Sequence, residues 1–139
     1  MISATIDTSV FIRALHFKGP AALLLGHARA GNIRIDISDP ILTETLRVLR
    51  EKFQWDGYML HDARQKLLSI SNHVTPTEKL SVIQEDPDDD RILECAVAAK
   101  SDFIVSEDKD LLRVGQYGNA PILNIRDFSS MVQAQGRDR

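Results

Sequence analysis

The chain has one cysteine, Cys95, which excludes an intramolecular disulfide and suits a reducing compartment. Cys95 lies in an apolar run with helical spacing and reads as a small buried side chain. No apolar stretch approaches the roughly 20 residues that a membrane-spanning helix needs. The opening residues MISATIDTS lack a basic region followed by an apolar one, so no secretory signal is visible and a cytoplasmic location is expected. The phosphate-cradling patterns GxxxxGKS/T and GxGxxG are absent. The four histidines, His16, His27, His61 and His73, show no metal-type spacing such as HxxxH and read as surface or packing residues. There is also no excess of positive charge. With 17 Lys and Arg against 20 Asp and Glu, the net charge is −3, and any affinity for nucleic acid must come from local fields.

A length of 139 residues suits one domain that buries its own core, and 43% hydrophobic with 27% charged residues is the balance of a soluble globular chain. Short β-branched runs at Ile2–Ile6, Asn32–Ile37, His73–Thr75, Asp102–Ser106 and Pro121–Ile125 read as strands. Between them lie helical patterns over Ala21–Ala30, Asp39–Phe53, Trp55–Ile70, Pro87–Ala99 and Asp110–Val114, with a last short one over Asp127–Val132. Asp39-Pro40 reads as an N-cap followed by proline at the first helical position. This alternation predicts an α/β fold, a three-layer α/β/α sandwich around a central parallel sheet. The expected organisation is one domain over 1–132 and a polar, frayed C-terminal tail over 133–139.

Carboxylates dominate the candidate chemistry. In parallel sheets, sites form beyond the carboxyl ends of strands. Asp7 ends the first strand, and Asp108 follows the strand around Phe103–Val105, so both fall at that edge. Asp7 can equally be a turn residue acting with Thr8 and Ser9. Glu44 lies one turn from Ile41 and one from Val48, on the border of an apolar stripe, where pairing with Arg47 or Arg50 is the plainer role. The run Glu85, Asp86, Asp88, Asp89, Asp90 holds more acids than helix capping uses. Two carboxylates about 4 Å apart repel by roughly 4 kcal/mol at an effective dielectric near 20, so any member turned into a cleft needs a proton or a cation. Asp110 precedes Leu111 and Leu112 and reads as the N-cap of the short helix, which leaves Asp108 free. Oxygen-only donors suit a hard cation such as Mg²⁺ or Mn²⁺ rather than Zn²⁺.

These residues resemble a PIN-domain family. The resemblance rests on IDTSVFI at 6–12, LTETLRVL at 42–49, EDPDDDRILECAVAAKSDFIVSEDKDLL at 85–112 and PILNIRDF at 121–128, in the expected order over nearly the whole chain. Within that family the chain is similar to the toxin group of bacterial toxin–antitoxin pairs, related to VapC-type ribonucleases. The resemblance implies a PIN-like fold and Mg²⁺- or Mn²⁺-dependent cleavage of single-stranded or structured RNA. It implies four catalytic acids: Asp7, Glu44, Asp90 and Asp108, with Asp90 chosen because it lies eighteen residues before Asp108. Asp7, Asp90 and Asp108 would be metal ligands. Thr8, Ser9, Ser106 and Asp110 would support them, with Asp88, Asp89 and Asp110 able to share or replace roles given to Asp90 and Asp108. Arg13, His16 and Lys18 are candidates for phosphate contact. An RNA substrate and a cognate antitoxin protein are the implied partners, a homodimer is a candidate assembly, and no membrane is involved.

Three other readings compete. A haloacid-dehalogenase-type phosphatase needs a second aspartate two residues after the first, where this chain has Ser9. A receiver-like domain needs an acidic pair at the first strand end, which is not evident. A catalytically silent PIN-like module that binds a protein partner is the strongest non-enzyme rival, and the retention of all four acids argues against it.

Overall fold

The computed structural model describes residues 1–83 and 86–137. Glu85 of the acidic run and the last two residues of the expected tail lie outside them. Strand β1 (Ile2–Ile6) leads into a short helix α1 (Thr8–Ile12), which continues as a wider π turn over Arg13–Phe17. Next come α2 (Pro20–Arg29), β2 (Ile33–Ser38), α3 (Asp39–Phe53), α4 (Gly57–Ile70) and β3 (Ser71–Val74). A 3₁₀ turn (Pro87–Asp89) then enters α5 (Asp90–Ala99), followed by β4 (Phe103–Val105), α6 (Lys109–Val114), β5 (Gln116–Tyr117), β6 (Ala120–Leu123) and α7 (Ile125–Arg137).

The sheet has six strands in the order β3-β2-β1-β4-β6-β5. All neighbouring pairs are parallel except β5 with β6. The mostly parallel sheet is flanked by helices, so the three-layer α/β class is as expected. β1 is central, with β2 on one side and β4 on the other, because the chain crosses back after β3. The crevice between the carboxyl ends of β1 and β4 is therefore a topological switch point. The ladder runs to its rim: the Asp7 N–H donates to Val105 O at 3.0 Å, and the Ser106 N–H donates to Leu123 O at 3.0 Å.

Side chains alternate across each strand, and both faces of the sheet are covered. Ala4, Ile6, Ile35 and Ile37 are buried on one side. On the other, the register sets Thr5, Asp36 and Asn72 in one row across β1, β2 and β3. Asp36 is fully buried and accepts from Arg34 Nε (2.8 Å), Asn72 Nδ2 (3.0 Å) and Ser101 Oγ (2.6 Å). That network compensates a charge that would otherwise be too costly to bury. Cys95 is buried in α5 near Thr5, as its apolar setting suggests.

Several boundaries differ from the sequence expectation. Helix α1 and the π turn were not expected, since TSVFI has modest helix propensity. Burial of Val10, Phe11 and Ile12 overrides it. The N-cap of α3 is Ser38, with Asp39 already in the first turn. The β5–β6 hairpin was missed although Gly118-Asn119 is a two-residue turn with Gly118 at φ 58°. α7 runs to Arg137, so residues 133–137 continue the helix where a frayed tail was expected. No helix among the described residues is long and apolar enough to cross a membrane.

Candidate metal centre

Asp7 leaves β1 in extended conformation (φ −71°, ψ 152°) and is 6% exposed. Its Oδ2 accepts from Ser106 Oγ at 2.6 Å and from Ser9 Oγ at 3.0 Å. Burial raises its pKa above the ordinary carboxylate value, the two serines pull it down, and the charge of Asp108 pushes it up again. Ser106 is fully buried after β4 and makes a second bond, accepting from the Asp108 N–H at 2.9 Å. One hydroxyl thus ties the carboxylate at the end of β1 to the backbone beyond β4. Thr8 meets α3 through Thr45 Oγ1 at 3.5 Å.

Asp108, not Asp110, caps α6, and its Oδ1 accepts from the Asp110 N–H at 2.7 Å. The expected assignment is therefore reversed. The helix begins at Lys109, two residues earlier than an N-cap at Asp110 implies, and Asp110 falls in its first turn facing Arg113 at 3.4 Å. Asp108 keeps its second oxygen for other work.

The acidic run divides sharply. Asp86 caps the 3₁₀ turn, accepting from the Asp88 N–H at 3.1 Å. Asp89 is 7% exposed, and its Oδ2 finds no hydrogen-bond partner among the described residues. Asp86, Asp89 and Asp108 each offer a carboxylate oxygen, all within 4.8 Å of one another. At that separation each pair repels by about 3.5 kcal/mol at an effective dielectric near 20. Burial, then the charges of Asp108, Asp86, Asp7 and Asp110, push the Asp89 carboxyl up to about 8. Asp90 is placed differently from its expected role. Its Oδ1 accepts from the Val82 and Ile83 N–H groups at 2.9 and 3.0 Å, which straps the preceding loop to α5. Glu94 does the same for the Leu80 N–H at 2.7 Å. The spacing of eighteen residues counted one turn too uniformly. At the 3₁₀ entry into α5, Asp89 offers an oxygen within 4.8 Å of those of Asp86 and Asp108, while Asp90 Oδ1 is taken up by the preceding loop.

Glu44 is held by both Arg47 guanidinium nitrogens that reach it, at 2.7 and 3.2 Å, on the exposed flank of α3. It nevertheless borders the site. A small cavity of about 320 Å³ is lined by Asp7, Thr8, Glu44, Asp86, Asp88 and Asp89 together with Arg91. A larger one of about 1120 Å³ shares Asp7, Thr8 and Glu44 and adds Ser9, Asp108 and four cations, Arg13, Lys18, Lys52 and Arg126. Of the three residues expected to contact phosphate, Arg13 and Lys18 line this cavity. His16 does not line it. Its Nδ1 accepts from Trp55 Nε1 at 3.1 Å, and its ring packs on Phe53 at 4.2 Å. Lys52 and Arg126 were not singled out in sequence, Asp86 stood there only as a member of the acidic run, and Asp89 only as an alternative to Asp90. The first two come from distant helices. For Asp89, its place at the end of Asp86-Pro87, a stop before the helix proper, was the available signal.

The donor set fits a hard divalent cation. It consists of carboxylate oxygens at short mutual separation, and one is buried without a partner. A cation there would offset the burial and the repulsion that otherwise push the Asp89 carboxyl up.

Comparison with known proteins agrees with this architecture. The PIN-domain family profile matches residues 3–110. No curated protein matches the chain. Among solved structures, VapBC2 from Rickettsia felis, bound to a DNA fragment from its promoter, is similar at a TM-score of 0.61 and 17% identity, covering 88% of this chain and 98% of that one. PAE2754 from Pyrobaculum aerophilum is similar at a TM-score of 0.60 and 14% identity, covering 96% and 90%. At such identities the likeness speaks for the fold. The profile match spans most of the sequence, and this chain belongs to the PIN-domain family.

Proposed function

We propose that the protein is a Mg²⁺- or Mn²⁺-dependent ribonuclease that hydrolyses RNA phosphodiesters and acts as the toxin of a toxin–antitoxin pair. The observation that carries the reading is the convergence of Asp86, Asp89 and Asp108 beside Asp7, with one buried carboxylate oxygen lacking a partner. Asp89 and Asp108, with Asp86 and Asp7, would hold the cation. Bound there, it supplies a water of lowered pKa and positive charge against the scissile phosphate. Hydrolysis then adds water across one P–O bond and leaves a phosphate and a free hydroxyl.

The chain's own residues do the rest. Ser106 and Ser9 orient Asp7 through their hydrogen bonds to Oδ2 and oppose the rise in its pKa that burial causes. Arg47 fixes Glu44 at the wall shared by the two cavities. Arg13, Lys18, Lys52 and Arg126 offer positive charge to the phosphates of a strand lying in the larger cavity. An antitoxin partner is supported by the kinship in fold with a VapBC protein. The test is cleavage of total cellular RNA with Mg²⁺. Wild type is expected to cleave, and Asp7→Asn or excess EDTA to abolish cleavage while the circular dichroism spectrum is unchanged. Full activity of Asp7→Asn, or full activity in EDTA, overturns the reading.

A further inference from the structure

Phe17 is 63% exposed although it is among the largest apolar side chains of the chain, and it lines the larger cavity together with Phe53. It stands edge-on to Phe53 (ring centres 5.5 Å apart, 86° between planes) and to His16 (4.8 Å, 83°). His16 is itself fixed by the Trp55 indole N–H. An exposed ring is therefore braced by two aromatic neighbours, Phe53 and His16, the second of them held in turn by Trp55. The backbone around it is also unusual. Phe17 ends the π turn, and Lys18 and Gly19 follow at φ 68° and 70°, with Lys18 at ψ −135°. A non-glycine residue rarely adopts such a region, and such strain and π turns concentrate at functional positions. Arg13, Lys18 and Lys52 line the same cavity, so an apolar ring face lies among cations.

We infer that Phe17 is a stacking platform for an unpaired base of a single-stranded RNA, with Arg13, Lys18 and Lys52 tracking its phosphates. The inference rests on the ribonuclease reading above and adds the residue that would grip a base of the substrate. An aromatic face takes any base, whereas the bases of a duplex are already stacked on one another. A braced aromatic beside a cationic groove is the general solution for gripping single strands. Charge favours a polyanion over a protein partner at this end of the cavity: of its four acids, Asp7 and Asp108 lie at the metal centre, Glu44 is paired with Arg47 and Glu107 accepts from the Ile125 N–H, whereas Arg13, Lys18 and Lys52 carry no such pairing among the described residues. Phe17 is a positioning residue: it touches a base away from the scissile bond and leaves the acids untouched.

The test is fluorescence anisotropy in EDTA, so that no cleavage occurs. The probes are a labelled oligo(U) of about a dozen nucleotides, an abasic strand of equal length and an RNA duplex. Wild type is expected to prefer oligo(U) to both others. Phe17→Ala is expected to weaken oligo(U) binding about 5- to 100-fold, leave the abasic strand unchanged, and be rescued by Phe17→Trp. In cleavage assays Phe17→Ala is expected to raise KM and spare kcat. Equal binding of oligo(U) by wild type and Phe17→Ala, or equal wild-type affinity for the abasic strand or the duplex, overturns the inference even if the protein cleaves RNA. Sedimentation showing a dimer that Phe17→Ala dissolves overturns it in favour of an interface between two copies. A stacking signature in a protein that cleaves nothing supports the platform and removes the nuclease reading alone.

Discussion

Replacing Asp89 by Asn should reverse its effect on stability according to whether a divalent cation is present. In the metal-free protein Asp89 holds its proton up to about pH 8, against 3.8 for an ordinary aspartate. Below both values the residue is neutral in folded and unfolded chains and contributes no penalty. As pH rises from about 4, the unfolded chain ionises first, so stability falls until the folded-state value is passed. At 1.36 kcal/mol per unit the whole shift corresponds to about 5–6 kcal/mol. Rotation toward the small cavity and entry of water relieve part of it, so the penalty at pH 8 is expected near 2–3 kcal/mol. Asp89→Asn stays neutral and avoids it. In EDTA at pH 8 the variant should melt about 6–9 °C higher than wild type, and the two should converge near pH 4. In millimolar Mg²⁺ wild type should gain stability by mass action, and the variant should gain little. Differential scanning fluorimetry across pH, with and without metal, reads all of this. A variant less stable than wild type in EDTA at pH 8, or equally stabilised by Mg²⁺, refutes the reasoning.

Other expectations follow from the same geometry. Ser106→Ala removes a donor to Asp7 and an acceptor for the Asp108 N–H, so activity should drop about 10- to 100-fold. Because that bond lowers the Asp7 pKa, the acid limb of the pH–rate profile should move to higher pH. Asp36→Ala leaves Arg34, Asn72 and Ser101 without their shared acceptor and should cost about 3–5 kcal/mol in denaturant unfolding. Burial pushes the Cys95 thiol up to about 11, so thiol reagents at pH 8 should react only after unfolding.

Strand-end position is legible in sequence, because short β-branched runs separated by helical patterns define which residues follow a strand. That is why Asp7 and Asp108 could be named without coordinates. The choice between Asp89 and Asp90 was not legible. It depends on whether Pro87–Asp89 winds as 3₁₀ or α, and neighbouring positions on a helix point about 100° apart. A family spacing counts residues and not turns. His16 looked free because its partner, Trp55, lies 39 residues on in sequence. Helix α1 escaped notice because it owes its existence to burial of Val10, Phe11 and Ile12 rather than to propensity. The cations Lys52 and Arg126 belong to helices that meet only in the folded cleft.

The most direct test of the metal centre is Mn²⁺ binding followed by electron paramagnetic resonance on wild type, Asp89→Asn and Asp90→Asn. Asparagine at position 90 can still accept from the Val82 and Ile83 N–H groups, so that variant should fold. Wild type should bind Mn²⁺, Asp89→Asn should weaken binding by at least about tenfold, and Asp90→Asn should change it little. Weakening by Asp90→Asn alone, or no Mn²⁺ binding by wild type, would contradict the account.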